Sequence, residues 1–391
     1  MGLVGLALAA CLIVVVAAPA ASRPGSLPPG ADPSLAPAGA VRDAVSGPMA
    51  STEPGSAPAD SDAAGEVGAG GVGAGGVGAG GVGTAGWLAL ANLDLAPVPT
   101  ALLTKTLGEQ RAKYAIPGIS ATIIWPDGRS WTATSGFADL YGQVRLTRST
   151  AFAIASVTKT FVAALVLQLA QEGLLGLDDP VVAWLPTAKI DPRVTIRQLL
   201  DHTSGVYDFF SNSKIDAPLR NAPAAAWAPA KALAYVKTPY FDPGTGWHYS
   251  NTNYVLLGQV VERVTGRSWA AEVRDRFLDP LRLTSASIQG VEKSRTTISH
   301  GYRFTSASKT AKPIDLWDGT GVVPFRSVVT AAGAAGAVAA SSWDLARWTR
   351  DAIVGLDGPA EVPHAAIDPT REVPLGPRPR DPPQHGPDHA P

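Results

Sequence analysis

Three apolar stretches divide this chain, and each predicts a different element. The run from Phe161 to Leu175 is hydrophobic on nearly every face, which predicts a helix buried in a core. A second run, Tyr254 to Val261, follows a polar loop that opens with the turn pair Pro243-Gly244, and it predicts another buried helix. The third run, Gly2 to Ser22, carries no charge.

This N-terminal run has the character of a targeting segment. Ala18-Pro19-Ala20 resembles a signal-peptidase site, but the segment before it has no Lys or Arg. An uncleaved membrane anchor is the alternative, because the run nearly spans a bilayer. We predict that residues 1–22 are a signal peptide or a membrane anchor. The protein is then expected to be secreted or held in the cell envelope, outside the cytoplasm.

The next segment and the C-terminal tail are poor in residues that build a core. Residues 23–94 are rich in Pro, Ala, Gly and Ser, and a five-residue unit beginning at Val67 repeats from Val72 and Val77. Such a chain loses much entropy on folding and buries little, so we predict a flexible linker. Ten of the 34 prolines fall in residues 356–391. We predict a disordered tail there, which leaves residues 95–355 as the folded domain.

Charge and cysteine content exclude several function classes. The net charge of −1 gives no basic field for nucleic acid, and no phosphate-binding glycine loop is present. The six histidines and the single cysteine, Cys11, show no clustered metal-ligand spacing. We therefore expect no cofactor, no bound metal and no nucleic-acid partner. The protein is also expected to be a monomer.

Ser156 and Lys159 are the first candidate catalytic pair. They stand at the start of the buried run, and residues three apart lie on one face of a helix. A lysine whose charge is suppressed by burial can take the proton of a serine hydroxyl and so activate a poor nucleophile. A lone Ser-x-x-K motif is also common in ordinary helices with solvated lysines. The apolar surroundings favour the catalytic interpretation, because an unpaired buried lysine costs several kcal/mol.

Tyr249-Ser250-Asn251 forms a second candidate element. It lies on the loop that leads into the second predicted helix, and loops on a rigid scaffold often carry chemistry. The alternative is a structural role, with Ser250 or Asn251 capping the helix.

Together the two motifs resemble the penicillin-recognising serine hydrolases, which include class C β-lactamases, serine D-alanyl-D-alanine carboxypeptidases and related esterases. The likeness covers roughly Leu95 to Gly355. Further stretches that carry it are Ile116–Ser120, which resembles the family's first core strand, Glu172–Pro180, Thr195–Gly205 and Ala331–Trp348. The resemblance implies an α/β fold of the β-lactamase/transpeptidase type, with an antiparallel sheet flanked by helices and a mostly helical lobe between the motifs.

The resemblance also implies roles for single residues. Ser156 would be the nucleophile that is acylated, and Lys159 would help to deprotonate it. Tyr249 would relay the proton to the leaving group, and Asn251 would bind Lys159 and the substrate amide. The backbone N–H of Ser156 would form half of an oxyanion hole. The family gives no catalytic role to the segments that contain His202 and His300, so we interpret both histidines as structural.

The family's third motif, Lys-Thr-Gly or His-x-Gly on a strand beside the nucleophile, is missing from its usual place. His385-Gly386 is the only downstream pair that resembles this motif, and it lies among prolines, which cannot donate to a sheet. Either the tail results from a frameshift or truncated reading frame, which we favour, or the protein completes its site in another way.

The expected function is acyl transfer through a covalent acyl-enzyme followed by hydrolysis. D-alanyl peptides of peptidoglycan, β-lactams and simple esters are the candidate substrates, because all three share serine acylation chemistry. The alternative, which the missing third motif motivates, is a degenerate, non-catalytic member that binds envelope components or is a truncated gene product.

Overall fold

The computed structural model describes residues 13–15, 99–125, 128–304 and 312–353, with the backbone alone for 13–15 and 352–353. Most of the predicted leader, the whole linker 23–94 and the tail 356–391 lie outside the described residues. The domain boundaries drawn from the sequence therefore stay predictions. Within the described residues, no helix has both the length and the apolar character that a membrane span requires.

A four-stranded sheet forms one side of the folded part. Its strands lie in the order β1-β2-β3-β4. The long pair β2 and β3 is antiparallel, with Gly118 opposite Gly136 and Ile124 opposite Ser130. The two backbones approach closely at the glycines, since a Cβ on Gly118 would lie 2.3 Å from the Phe137 carbonyl oxygen. The strands span Ile13–Val15 (β1), Gly118–Ile124 (β2), Ser130–Asp139 (β3) and Val144–Arg145 (β4).

β1 is the one parallel strand of this sheet, and it pairs with Ser120–Thr122 of β2. It lies within the segment predicted to be a signal peptide or an anchor. Three residues of paired backbone do not test that prediction.

Shorter strands form two further small sheets. Antiparallel pairing joins β5, β9 and β6 into a three-stranded sheet, and β7 pairs with β8. These strands span Phe152–Ala153 (β5), Ser287–Ile288 (β6), Tyr302–Arg303 (β7), Ile314–Asp315 (β8) and Val338–Ala340 (β9).

Ten α-helices are described in residues 99–125, 128–304 and 312–353. Between Lys159 and Tyr249 the chain is made of helices and turns, as the predicted helical lobe requires. The helices span Thr100–Lys113 (α1), Thr158–Gln171 (α2), Val181–Trp184 (α3), Ile196–Leu200 (α4), Asp216–Asn221 (α5), Pro229–Leu233 (α6), Asn251–Thr265 (α7), Trp269–Val273 (α8), Arg326–Ala332 (α9) and Ser342–Trp348 (α10).

The two predicted buried helices, α2 and α7, lie in the main hydrophobic core. α2 ends at Gln171, earlier than the apolar run, because Gly173 adopts φ +70° and turns the chain. Phe161 of α2 stacks on Trp348 of α10, with ring centroids 4.0 Å apart, and neither side chain is more than 1% exposed. The predicted α/β class, an antiparallel sheet with flanking helices, is confirmed.

Candidate active site

Ser156 lies at the entrance to α2. It occupies a 3₁₀ turn, Ala155–Val157, that runs directly into Thr158, so the serine precedes the α-helix instead of lying within its first turn. Ala155 adopts φ +45°, a left-handed conformation that costs energy for a residue with a Cβ. Two backbone hydrogen bonds hold this turn: Ile154 N donates to Val338 O, and Val157 N donates to Ile154 O. The backbone thus presents an exposed serine at the amino end of a buried helix.

Lys159 is buried below this serine, with 7% of its surface exposed. Its Nζ donates to three oxygens, at 3.3 Å to Ser156 Oγ, 2.8 Å to Asn251 Oδ1 and 2.8 Å to Ala335 O. Burial lowers the pKa of Lys159 from 10.5 to about 7, and the negative charge of Asp208 opposes part of that shift. A neutral amine is therefore well populated near neutral pH, as a base for serine requires.

Tyr249 also contacts the serine. Its hydroxyl lies 2.7 Å from Ser156 Oγ, and it donates a longer bond of 3.4 Å to Asn251 Oδ1. The Lys159 ammonium lies 4.9 Å from the centre of the Tyr249 ring. Ser156, Lys159, Tyr249 and Asn251 thus form one hydrogen-bonded group, as the two sequence motifs predict for their positions. Their catalytic roles stay predictions.

The loop before α7 is held by its backbone. Ser250 occupies the N-cap position, but its side chain makes no cap hydrogen bond, and Asn251 is already the first residue of the helix. Neither residue is therefore the side-chain cap that the structural interpretation of this loop expects.

His202 contacts this loop. Ser250 N and Asn253 Nδ2 both lie close to His202 Nδ1, at 3.2 and 3.3 Å. Asn253 Oδ1 accepts a bond from Ser204, so its amide nitrogen faces the histidine, and Nδ1 is an acceptor. Burial first, and then the nearby Lys159 charge, lower the pKa of His202 to about 4. A neutral histidine that binds Ser250 N and the Asn253 amide fits the predicted structural role.

Two groups at the site were not singled out from the sequence. Asp208 binds Asn251, and the Ala335 carbonyl binds Lys159. Asp208 lies just after the resembling stretch Thr195–Gly205, and Ala335 lies within the stretch Ala331–Trp348. The family resemblance is the only signal that pointed near them. His385-Gly386, the echo of a third motif, lies outside the described residues.

His300 lies elsewhere, at the β7–β8 hairpin. Its Nδ1 is 2.8 Å from Asp315 Oδ2 and 3.7 Å from Asp139 Oδ1. Within the described part of the chain, these three side chains are the group whose spacing would admit a metal ion. The sequence did not reveal this cluster, because its members are far apart along the chain.

Comparisons with known sequences and structures give the family of this chain. The sequence model of the Beta-lactamase family matches residues 103–387. Penicillin-binding protein 4* of Bacillus subtilis is 29% identical over 245 residues, which are 60% of this chain and 52% of the relative. Protein flp of Staphylococcus aureus strain N315 is 29% identical over 55% of this chain and 44% of its own. The chain thus spans about half the length of these curated relatives.

Two solved structures share the fold. A D-stereospecific amidohydrolase from Streptomyces aligns with a TM-score of 0.56 and 31% identity, over 66% of this chain and 74% of its own. The D-amino acid amidase of Ochrobactrum anthropi, solved with D-phenylalanine, aligns with a TM-score of 0.54 and 25% identity, over 66% and 72%. With the family match covering most of the chain, the conclusion is that this protein belongs to the β-lactamase-related serine hydrolase family.

Proposed function

We propose that this protein hydrolyses a carboxylic amide or ester through an acyl-enzyme on Ser156. The observation that carries the proposal is the bonding of one exposed hydroxyl to two proton-transfer groups. Ser156 Oγ lies 3.3 Å from Lys159 Nζ and 2.7 Å from the Tyr249 hydroxyl. Both distances are within the reach that proton transfer needs, and burial of Lys159 favours its basic form.

In the acylation step, Ser156 Oγ attacks the carbonyl carbon while its proton passes to neutral Lys159. The carbonyl oxygen becomes an oxyanion, which the backbone N–H of Ser156 would stabilise at the amino end of α2. When the intermediate collapses, the bond to the leaving group breaks. The leaving nitrogen or oxygen takes a proton from the Tyr249 hydroxyl, and the proton held by Lys159 restores that hydroxyl. The products are the acyl-serine and a neutral leaving group.

Hydrolysis reverses these roles. A water molecule attacks the acyl carbonyl carbon and gives its proton to the Lys159–Tyr249 pair. The ester bond to Ser156 then breaks, and the serine oxygen recovers a proton from the same pair. The carboxylic acid leaves, and both proton-transfer groups return to their starting states.

The substrate class we propose is amides of D-amino acids, including D-alanyl peptides. The support is that the two solved relatives are named as a D-stereospecific amidohydrolase and a D-amino acid amidase. β-Lactams and simple esters would react by the same serine chemistry, and pocket shape decides among them. We also propose an extracytoplasmic location, which the apolar run Gly2 to Ser22 supports. We propose action as a monomer, since one chain supplies all four site residues.

The test is turnover of D-alanine p-nitroanilide and L-alanine p-nitroanilide by the full-length protein. We expect release of p-nitroaniline from the D-substrate at a higher kcat/KM than from the L-substrate, and none from a folded Ser156→Ala variant. Turnover that persists in Ser156→Ala would refute the assignment of the nucleophile. A folded parent without turnover of these amides, of a penicillin or of p-nitrophenyl acetate would favour the degenerate, non-catalytic member.

A further inference from the structure

Asp208 is a buried carboxylate beside the catalytic group. Asp208 lies after the loop that follows α4 and directly before the 3₁₀ turn Phe209–Ser211. Its Oδ1 accepts a hydrogen bond from Phe210 N at 3.2 Å and so caps this turn. Only 7% of its surface is exposed. A carboxylate that only capped a short turn would gain nothing from such burial, because desolvation disfavours its charge.

The hydrogen bonds of Asp208 go mainly to Asn251. Asn251 Nδ2 lies 3.1 Å from Oδ2 and 3.3 Å from Oδ1 of the carboxylate, and Asn251 N donates to Oδ1 at 3.2 Å. A carboxylate accepts but cannot donate, so it fixes which end of the Asn251 amide faces it. The amide oxygen then points the other way, where it accepts from Lys159 Nζ at 2.8 Å.

Asp208 is also the negative charge that acts on Lys159. The groups facing the ammonium from α7 and its preceding loop are the Tyr249 and Tyr254 rings, whose centroids lie 4.9 and 5.4 Å from Nζ. Burial raises the pKa of Tyr254 to about 12, so it stays neutral in the working range. His202 is neutral as well, because its pKa is lowered to about 4.

Burial and Asp208 therefore act on the lysine in opposite directions. Desolvation lowers the pKa of Lys159, and the Asp208 charge raises it. Burial raises the pKa of Asp208 above its ordinary value, and the bonds from Phe210 and Asn251 and the charge of Lys159 offset only part of that rise. The Asp208 carboxylate and the Lys159 amine therefore affect each other's pKa, and the Asn251 amide lies between them.

We propose that Asp208 is a positioning residue, which orients the Asn251 amide toward Lys159 and whose charge sets the pH range over which Ser156 reacts. This inference rests on the proposed function for the reaction itself, but the effect on Lys159 is measurable without it. Removing the carboxylate charge favours the neutral amine, so activation should extend to lower pH. Removing the carboxylate, or displacing it, frees the Asn251 amide to rotate, so the maximal rate of the Ser156 reaction should fall.

The experiment measures the rate at which a fluorophosphonate phosphonylates Ser156 of the full-length protein, with loss of fluoride, from pH 5 to 9. The proteins compared are the parent, Asp208→Asn and Asp208→Glu. For Asp208→Asn we expect the acid limb to move about one to two pH units lower and the plateau rate to fall about tenfold. For Asp208→Glu the charge remains but the carboxylate is displaced, so the acid limb should stay near the parent's while the plateau falls. The matched control is Asp178→Asn, since Asp178 is exposed and pairs with Arg197. It should reproduce the parent profile.

A second readout separates this inference from the proposed function. Acetic anhydride labelling of the Lys159 amine, followed by mass spectrometry against pH, reports its protonation whether or not Ser156 reacts. A parent that is never phosphonylated would refute the proposed function, yet a lower labelling midpoint in Asp208→Asn would still support the effect of Asp208 on Lys159. Identical phosphonylation profiles and identical labelling midpoints in the parent and Asp208→Asn would overturn the inference. If Asp208→Asn does not fold, a plateau in Asp208→Glu equal to the parent's would overturn it.

Discussion

Burial of Lys159 should affect how the stability of the fold, as well as its activity, depends on pH. In the folded protein the pKa of Lys159 is about 7, against 10.5 for a solvated lysine. The unfolded chain therefore holds this proton over a range of pH in which the folded protein has released it. Stability rises with pH wherever the unfolded state binds more protons. The lysine thus makes the fold less stable below about pH 7, and this cost is relieved as the pH rises toward 10.5.

The size of the effect follows from the difference in bound protons. Between about pH 7 and pH 9 the unfolded lysine stays charged, while the folded one passes from half charged to neutral. Integrated over that interval, the free energy of unfolding gains about 2 kcal/mol from this residue. Because the side chain is nearly fully buried, solvent screening reduces this figure little.

Lys159→Met isolates the contribution. Methionine has a similar length and carries no charge, so the difference between the two proteins reports the titration of Lys159 together with its effect on Asp208 and His202. Urea unfolding followed by tryptophan fluorescence at pH 7 and pH 9 gives the two free energies for each protein. We expect the parent to gain about 2 kcal/mol more than Lys159→Met over this interval. Equal pH dependence in the two proteins would refute the claim that Lys159 is held with a lowered pKa.

Three further outcomes follow from the same contacts. The acylation rate of the parent should fall about tenfold for each pH unit below about pH 7, because only the neutral lysine accepts a proton; a flat profile down to pH 5 would contradict this. Tyr249→Phe should lower that rate by about 10²- to 10⁴-fold with unchanged thermal stability, since it removes the hydroxyl 2.7 Å from Ser156 Oγ. Phe161→Ala should destabilise the fold by about 3–5 kcal/mol in urea unfolding, because it opens a cavity against Trp348. A loss under 1 kcal/mol would count against that packing.

The four predicted site residues could be found from the sequence because their spacing is local. Ser156 and Lys159 are three residues apart at the mouth of one apolar run, and Tyr249 and Asn251 are two apart on one loop. Local spacing fixes which side chains share a surface. Their convergence on one another depends on the tertiary fold, and here the family resemblance supplied what the spacing could not.

Asp208 and the Ala335 carbonyl were missed for a physical reason. Asp208 is 43 residues from Asn251, and Ala335 is 176 residues from Lys159. No periodicity links such positions, and a backbone carbonyl has no signal in the sequence.

The short strands were beyond sequence reasoning for a similar reason. β5 and β9 contribute two and three residues, too few for an alternating pattern to be recognised. They nevertheless hold the nucleophile, since Phe152 pairs with Ala340 and Ala153 with Ala339 directly before the turn that presents Ser156. Helix ends were also imprecise, as the early end of α2 at Gln171 illustrates.

The most direct test of the central claim, that Ser156 is activated by its buried lysine, is the intact mass of the full-length protein after exposure to a fluorophosphonate. The account predicts one adduct per chain, mapped by peptide digestion to Ser156 and absent from a folded Ser156→Ala variant. A folded parent that stays unmodified, or a variant that is labelled as fully as the parent, would contradict it.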